Sequence, residues 1–231
     1  MPTLRRMELG LYDARGHRKY LTAAERIAFL TAAEETPREV RTLCGLLAQT
    51  GCRLSEALWL TADRIDLRAD LIVFQTLKKR RAGVYRALPV PHALVDMLDL
   101  VHGLRALQSR ADRGRHTRLW PWSRMTGWRR VREVMAQAGI RGPHGSPKGL
   151  RHGFGVAAVT AGVPLNLVQK WLGHAQLSTT AIYADAVGAE EHAIAARMWC
   201  SQEQHHPAPL PPHGYEIPLK GHALHRRFSA P

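Results

Sequence analysis

A mainly α-helical chain with one small antiparallel β-sheet, an α+β fold, is what this sequence predicts, and three observations carry the prediction. Apolar residues at helical spacing, introduced by recognisable N-terminal caps, run through both halves of the chain. Between them lie two short runs rich in β-branched and aromatic residues, separated by a basic turn. No apolar stretch of membrane-spanning length and no internal repeat competes with this reading.

The elements follow in order. Residues 1–20 are polar and basic without a sustained period and read as an N-terminal arm. Thr22-Ala-Ala-Glu25 forms a capping box, after which Ala23, Ile27 and Leu30 recur at helical spacing. Pro37 suits the first turn of a second helix, whose Val40, Leu43, Cys44 and Leu47 share one face. Gly51 interrupts it, and residues 53–58 form a third, short helix. Residues 71–77 and 84–90 are the strands, joined by the basic hairpin 78–83. Leu94, Met97, Leu98 and Val101 return to helical period, and a polar, Arg-rich stretch continues to about residue 118. Further helices are expected at 126–138, 147–161, 164–172, 178–184 and 189–199. Gly162 before Val163-Pro164 marks a stop and restart. Six of the fourteen prolines fall after residue 200, so residues 200–231 read as a disordered Pro/His-rich tail.

Composition narrows the function. Lys and Arg number 33 against 19 Asp and Glu, a net charge of +14. A surplus of that size repels itself unless it meets a polyanion, and nucleic acid is the usual one. A generic basic protein and a helix-turn-helix regulator both fit the charge alone. Cys44, Cys52 and Cys200 are odd in number and unpaired in spacing, which suggests neither a disulfide framework nor a zinc site. The histidines at 205, 206, 213, 222 and 225 fall in the tail, where no cage is preorganised, so no metal site is expected. The opening residues lack the apolar run of a secretory signal, and a cytoplasmic, nucleoid-associated location is expected.

Three separated blocks carry more specific chemistry. They are Thr50-Gly-Cys-Arg53-Leu-Ser-Glu56, Lys148-Gly-Leu-Arg151-His152 and Leu172-Gly-His174, the last followed nine residues on by Tyr183. Taken singly, each arginine reads as a surface ion-pair partner and Tyr183 as a packing residue. Taken together and in this order, the blocks resemble the catalytic domain of tyrosine recombinases, the phage integrase type. That family shows T-G-x-R-x-x-E, H-x-L-R-H and L-G-H ahead of a nucleophilic tyrosine. The resemblance runs from about residue 21 to about residue 199, the expected catalytic domain.

The resemblance implies a site-specific recombinase that cleaves and rejoins duplex DNA through a 3′-phosphotyrosyl intermediate, without cofactor, metal or ATP. It assigns Tyr183 as nucleophile, Arg53 and Arg151 as the phosphate clamp, and His174 as a donor to the scissile phosphate. Paired guanidinium forks suit the two non-bridging oxygens on which charge builds. Glu56 supports Arg53 from three residues on. Lys78 corresponds to the mobile lysine that protonates the departing 5′-oxygen, with Lys79 as the alternative. Lys79, Arg80 and Arg81 are expected to bind the DNA backbone. Lys148 stands where the family has histidine. A protonated lysine can donate to a phosphate oxygen but cannot act as a base, so the acceptor of the tyrosine proton stays open. His152 is left outside the catalytic set, in a supporting role.

The resemblance also implies a homotetramer bridging two double-stranded DNA sites, and leaves room for an accessory DNA-bending protein. Only about 20 residues precede the pattern, as in short, catalytic-domain-only members such as the fimbrial-switch recombinases. The competing expectation is a non-catalytic DNA-binding regulator derived from an integrase.

Overall fold

Helix α2 (Arg38–Thr50) is the axis on which the rest of the chain packs. The computed structural model describes residues 10–76, 83–110, 112–184, 192, 195 and 196. Val40, Leu43, Cys44 and Leu47 are buried, as their spacing predicts, and Leu46 and Ala48 join them on the opposite side. A helix buried nearly all round has neighbours on every side. Here they are α1 (Ala23–Glu34), α4 (His92–His102) and α8 (Pro147–Thr160).

Helix α1 begins at the expected capping box: Thr22 Oγ1 accepts from the Glu25 amide at 3.2 Å, and the Glu25 carboxylate accepts from the Thr22 amide at 2.9 Å. Its inward face differs from the expected one. Phe29 and Ala33 point into the core, while Ile27 lies on the surface. Burying an aromatic ring removes more apolar area from water than burying Ile27 would, and the helix turns accordingly. Pro37 caps α2 rather than entering its first turn. Gly51 ends α2 at φ +60°, and a Cβ there would meet Phe154 at 2.6 Å. Both the backbone and the space require glycine.

After α3 (Leu54–Leu58) the chain enters a three-stranded antiparallel sheet in the order β1 (Ile65–Asp66), β2 (Leu71–Gln75), β3 (Tyr85–Pro89). Strands β2 and β3 fall where the sequence predicts, β2 starting at Leu71 and ending at Gln75 and β3 shorter by one residue at each end; β1 is too short to leave a periodic signature. Ile72 and Phe74 of β2 are paired with Leu88 and Arg86 of β3, and all of these side chains are buried. The polar, Arg-rich stretch before residue 118 contains two short helices, α5 (Leu104–Ser109) and α6 (Asp112–Arg115). Leu104 alone of α5 is deeply buried, so helical period is scarcely visible there.

Helix α7 (Arg124–Gln137) starts at a Ser123 cap, two residues before its expected start at 126. Helix α8 opens at Ser146, whose Oγ accepts from the Gly149 amide at 3.2 Å, with Pro147 in the first turn. Gly162 and Pro164 then separate α8 from α9 (Leu165–Leu172), as expected. Helix α10 (Ser178–Ala181) ends before Tyr183.

A large core joins α1–α4, the sheet and α7, and a second cluster gathers Leu11, Tyr20, Val156, Val168, Leu172 and Tyr183. Within the expected N-terminal arm, residues 10–20 are therefore packed: Leu11 and Tyr20 lie against the second cluster, and Tyr12 bridges Arg18. Residues 1–9, the hairpin residues 77–82, most of the expected helix 189–199 and the tail lie outside the described residues.

Candidate active site

Arg53, Lys148, Arg151, His174 and Tyr183, though 130 residues separate the first from the last, line one cleft of about 610 Å³. Each comes from a helix or from a residue that flanks one. Arg53 caps α3, Lys148 and Arg151 are one turn apart on α8, and His174 follows Gly173, the left-handed C-cap of α9. A larger cleft of about 800 Å³, between Asp63, Arg64, Arg68 and Arg105, contains none of them.

The guanidiniums are held from behind. Arg151 is buried and donates to Gly51 O at 2.8 Å and to Leu172 O at 2.6 Å. Both carbonyls belong to helix C-terminal ends, where partial negative charge accumulates. Burial and the positive charge of Arg53 nevertheless hold the Arg151 pKa down to about 10, still well above neutrality. Arg53 donates to Glu56 Oε1 at 2.8 Å, and its backbone amide donates to Glu56 Oε2 at 2.9 Å. Burial pushes the Glu56 carboxyl up, but the hydrogen bond and charge of Arg86, with those of Arg53, outweigh it and keep the group ionised.

Arg86 is a residue that sequence reasoning missed. From β3 it donates to Glu56 Oε2 at 2.7 Å, to Thr76 Oγ1 at 3.3 Å and to Trp171 O at 2.7 Å. It thereby ties the sheet to α3 and to the end of α9. The available signal was alternation: Arg86 shares a face with Leu88, so a strand with its apolar side inward must bury a cation.

Tyr183 is fully buried. Its ring lies against the bare backbone of Gly155, where a Cβ would stand 2.5 Å from Cζ. His174 stacks nearly parallel to the ring at 6.2 Å, with its Nδ1 2.9 Å from Thr180 Oγ1. Burial, followed by Arg151 and Arg53, depresses His174 to a pKa of about 3, so its ring is neutral. Burial also pushes the Tyr183 phenol up to about 12, against the opposing pull of Arg151 and Arg53. The hydroxyl partner is His152, whose Nδ1 lies 3.2 Å from Oη. His152 stood outside the expected catalytic set; its position one residue past Arg151 says nothing about which way its ring turns.

Lys148 is exposed at the mouth, and Arg124 and Trp128 of α7 complete the rim. Lys78, Lys79, Arg80 and Arg81 lie outside the described residues; on either side of that segment the Thr76 amide donates to Val84 O at 2.8 Å. Among the described residues no three His, Cys, Asp or Glu side chains converge to hold a metal. Chemically, the cleft offers an anion two guanidiniums beside a phenol, the equipment for transferring a phosphoryl group to an oxygen nucleophile.

Comparison with known proteins gives the same direction. The model of the phage integrase family matches residues 19–189. The chain is 35% identical over 150 residues to the tyrosine recombinase XerD of Mycobacterium tuberculosis, covering 62% of this chain and 46% of that protein. It is 31% identical over 167 residues to XerD of Vibrio vulnificus, covering 70% and 51%. The chain thus spans about half the length of the curated relatives it matches. In fold it is similar to XerA recombinase, with a TM-score of 0.63 and 24% identity over 81% of this chain and 66% of that one. The XerH site-specific recombinase bound to difH substrate gives 0.61 and 21%, covering 81% and 59%. The catalytic domain of bacteriophage HP1 integrase gives 0.57 and 20%, covering 80% and 94%. With the family model spanning most of its length, the chain belongs to the phage integrase family.

Proposed function

We propose that this protein is a site-specific recombinase that cuts and rejoins duplex DNA with Tyr183 as its covalent nucleophile. The observation that carries the reading is the convergence of Arg53 and Arg151 on the cleft that holds Tyr183. In this reading the guanidiniums grip the non-bridging oxygens of one phosphodiester, and His174 donates a further hydrogen bond. Tyr183 Oη attacks phosphorus, the P–O5′ bond breaks, and Lys78 (or Lys79) supplies the proton that the 5′-oxygen takes. The phosphotyrosyl bond conserves the energy of the broken one, so a 5′-hydroxyl from a second strand can reverse the step. Lys148 donates to a phosphate oxygen, Glu56 orients Arg53, and Lys79, Arg80 and Arg81 hold the backbone.

The partner is double-stranded DNA, in keeping with the +14 charge and with the DNA-bound XerH of the same fold. Exchange between two duplexes needs two cuts on each, which a homotetramer provides; an accessory DNA-bending protein is compatible with this assembly. Such work belongs in the cytoplasm, at the nucleoid. Among the described residues no helix is long and apolar enough to cross a membrane.

The test is covalent trapping on nicked duplexes tiled across the DNA that flanks the gene. Wild-type protein should form an adduct stable to denaturing detergent, while Tyr183→Phe should bind with nearly the same affinity and form none. An adduct that persists in Tyr183→Phe overturns the assignment.

A further inference from the structure

The phenolic proton of Tyr183 has to leave as Oη bonds to phosphorus, and no group is yet assigned to take it. Lys148 occupies the family's histidine position, and an ammonium has no lone pair to accept a proton. It also lies exposed at the start of α8, whereas Tyr183 is buried. One turn further along the same helix, His152 sets Nδ1 3.2 Å from Tyr183 Oη, with the two ring centroids 5.9 Å apart. Gly155, on the next turn, removes the side chain that would push the phenol away. The other imidazole nearby, His174, lies parallel to the phenol ring and has its Nδ1 engaged by Thr180.

We propose that His152 is the general base of strand cleavage, accepting the Tyr183 proton at Nδ1 in place of the group that Lys148 displaced. This rests on the reading of Tyr183 as nucleophile. As the Oη–P bond forms, the proton moves from Oη to Nδ1; as the P–O5′ bond breaks, the lysine of the hairpin protonates the 5′-oxygen. On rejoining, the attacking 5′-hydroxyl returns its proton to the lysine, and the departing phenolate recovers its own from His152. No proton is gained or lost over the cycle.

The charges around the ring explain its timing. Burial, with Lys148, Arg151 and Lys19 nearby, holds His152 down to about 4, so the ring is neutral at neutral pH and one of its two nitrogens is bare to accept a proton. A base that weak does not ionise a phenol near 12 beforehand. Transfer is therefore coupled to attack: an oxygen half-bonded to phosphorus is far more acidic than a phenol, and the arriving phosphate charge raises the affinity of the imidazole for a proton. Without DNA the tyrosine stays protonated and unreactive.

The experiment is single-turnover adduct formation on the nicked duplex that wild-type protein traps best. His152→Ala should be slower by about 10²–10³-fold, with duplex affinity unchanged, and imidazole in the buffer should restore part of the rate. His152→Gln, which keeps an acceptor oxygen but no basicity, should stay slow. Replacing Tyr183 with a fluorinated tyrosine that ionises near neutral pH removes the need for a base, so the His152→Ala penalty should largely vanish. Three results overturn the proposal: a wild-type rate for His152→Ala, an undiminished penalty with fluorinated tyrosine and no imidazole rescue, or relief shown by Lys148→Ala instead. If wild-type protein forms no adduct on any duplex, or Tyr183→Phe still forms one, the parent reading fails and this one with it. An adduct that needs Tyr183 but ignores His152 sinks only the base.

Discussion

The carboxylate of Glu56 and the guanidinium of Arg86 meet at 2.7 Å between α3 and the sheet, both essentially out of solvent. Losing one member of a buried pair leaves an uncompensated charge, which typically costs about 3–5 kcal/mol. Arg86→Met should therefore lower unfolding free energy by about that amount. Glu56→Gln should be milder, because the amide oxygen can still accept from Arg86. Urea denaturation of the two variants measures both effects, and wild-type stability in Arg86→Met would mean that the pair is dispensable.

Gly155 seats the Tyr183 ring. An alanine Cβ would stand 2.5 Å from Tyr183 Cζ, so Gly155→Ala should displace the ring and slow adduct formation by tenfold or more on an order-of-magnitude scale. Its stability effect should change sign with context. In the wild-type background overpacking costs about 1–3 kcal/mol. With Tyr183→Ala the clash is gone, and the helix gains roughly 0.5–1 kcal/mol from losing a glycine. A double-mutant cycle by thermal denaturation reads this coupling directly.

Lys78 is tested by its leaving group. Lys78→Ala should be slower on normal DNA by on the order of 10²–10⁴-fold. A duplex with sulfur at the 5′ bridging position needs no proton, because a thiolate departs unaided. Lys78→Ala should cleave that duplex at close to the wild-type rate, whereas an Arg53→Ala protein should stay impaired. Rescue of Lys79→Ala instead would move the acid one residue along, and no rescue of either would make the hairpin a positioning loop.

His102 makes stability fall in mild acid. Burial against Trp120 lowers its pKa from an ordinary 6.5 to about 4. Between these values the unfolded chain takes up a proton that the folded chain refuses, so protonation favours unfolding. The stabilising contribution is complete above pH 6.5 and is lost as pH falls toward 4. His102→Gln, neutral throughout and able to reach Thr42, should reduce the slope of melting temperature against pH in that window, the remainder being carried by His152 and His174, which burial also holds low. An unchanged slope would show that other groups dominate acid unfolding.

Much of this protein was legible before any coordinate. Helices α1, α2, α8 and α9 announce themselves through local rules, because a capping box, an apolar stripe or a Gly-Pro break acts within a few residues. The motif residues Arg53, Arg151, His174 and Tyr183 stood out through the resemblance, because their blocks repeat the family's residue types and spacing together, and the fold brings all four to one cleft. What sequence could not reach depends on contacts between distant segments. That α1 buries Phe29 rather than Ile27 depends on the rotation of that helix against α2. That Arg86 turns inward is settled by Glu56, thirty residues away, and by the Trp171 carbonyl, eighty-five away. The 3.2 Å approach of His152 to Tyr183 joins α8 to the turn after α10 through the small space left by Gly155. Side-chain direction in a buried site is set by packing, and packing is a property of the assembled chain.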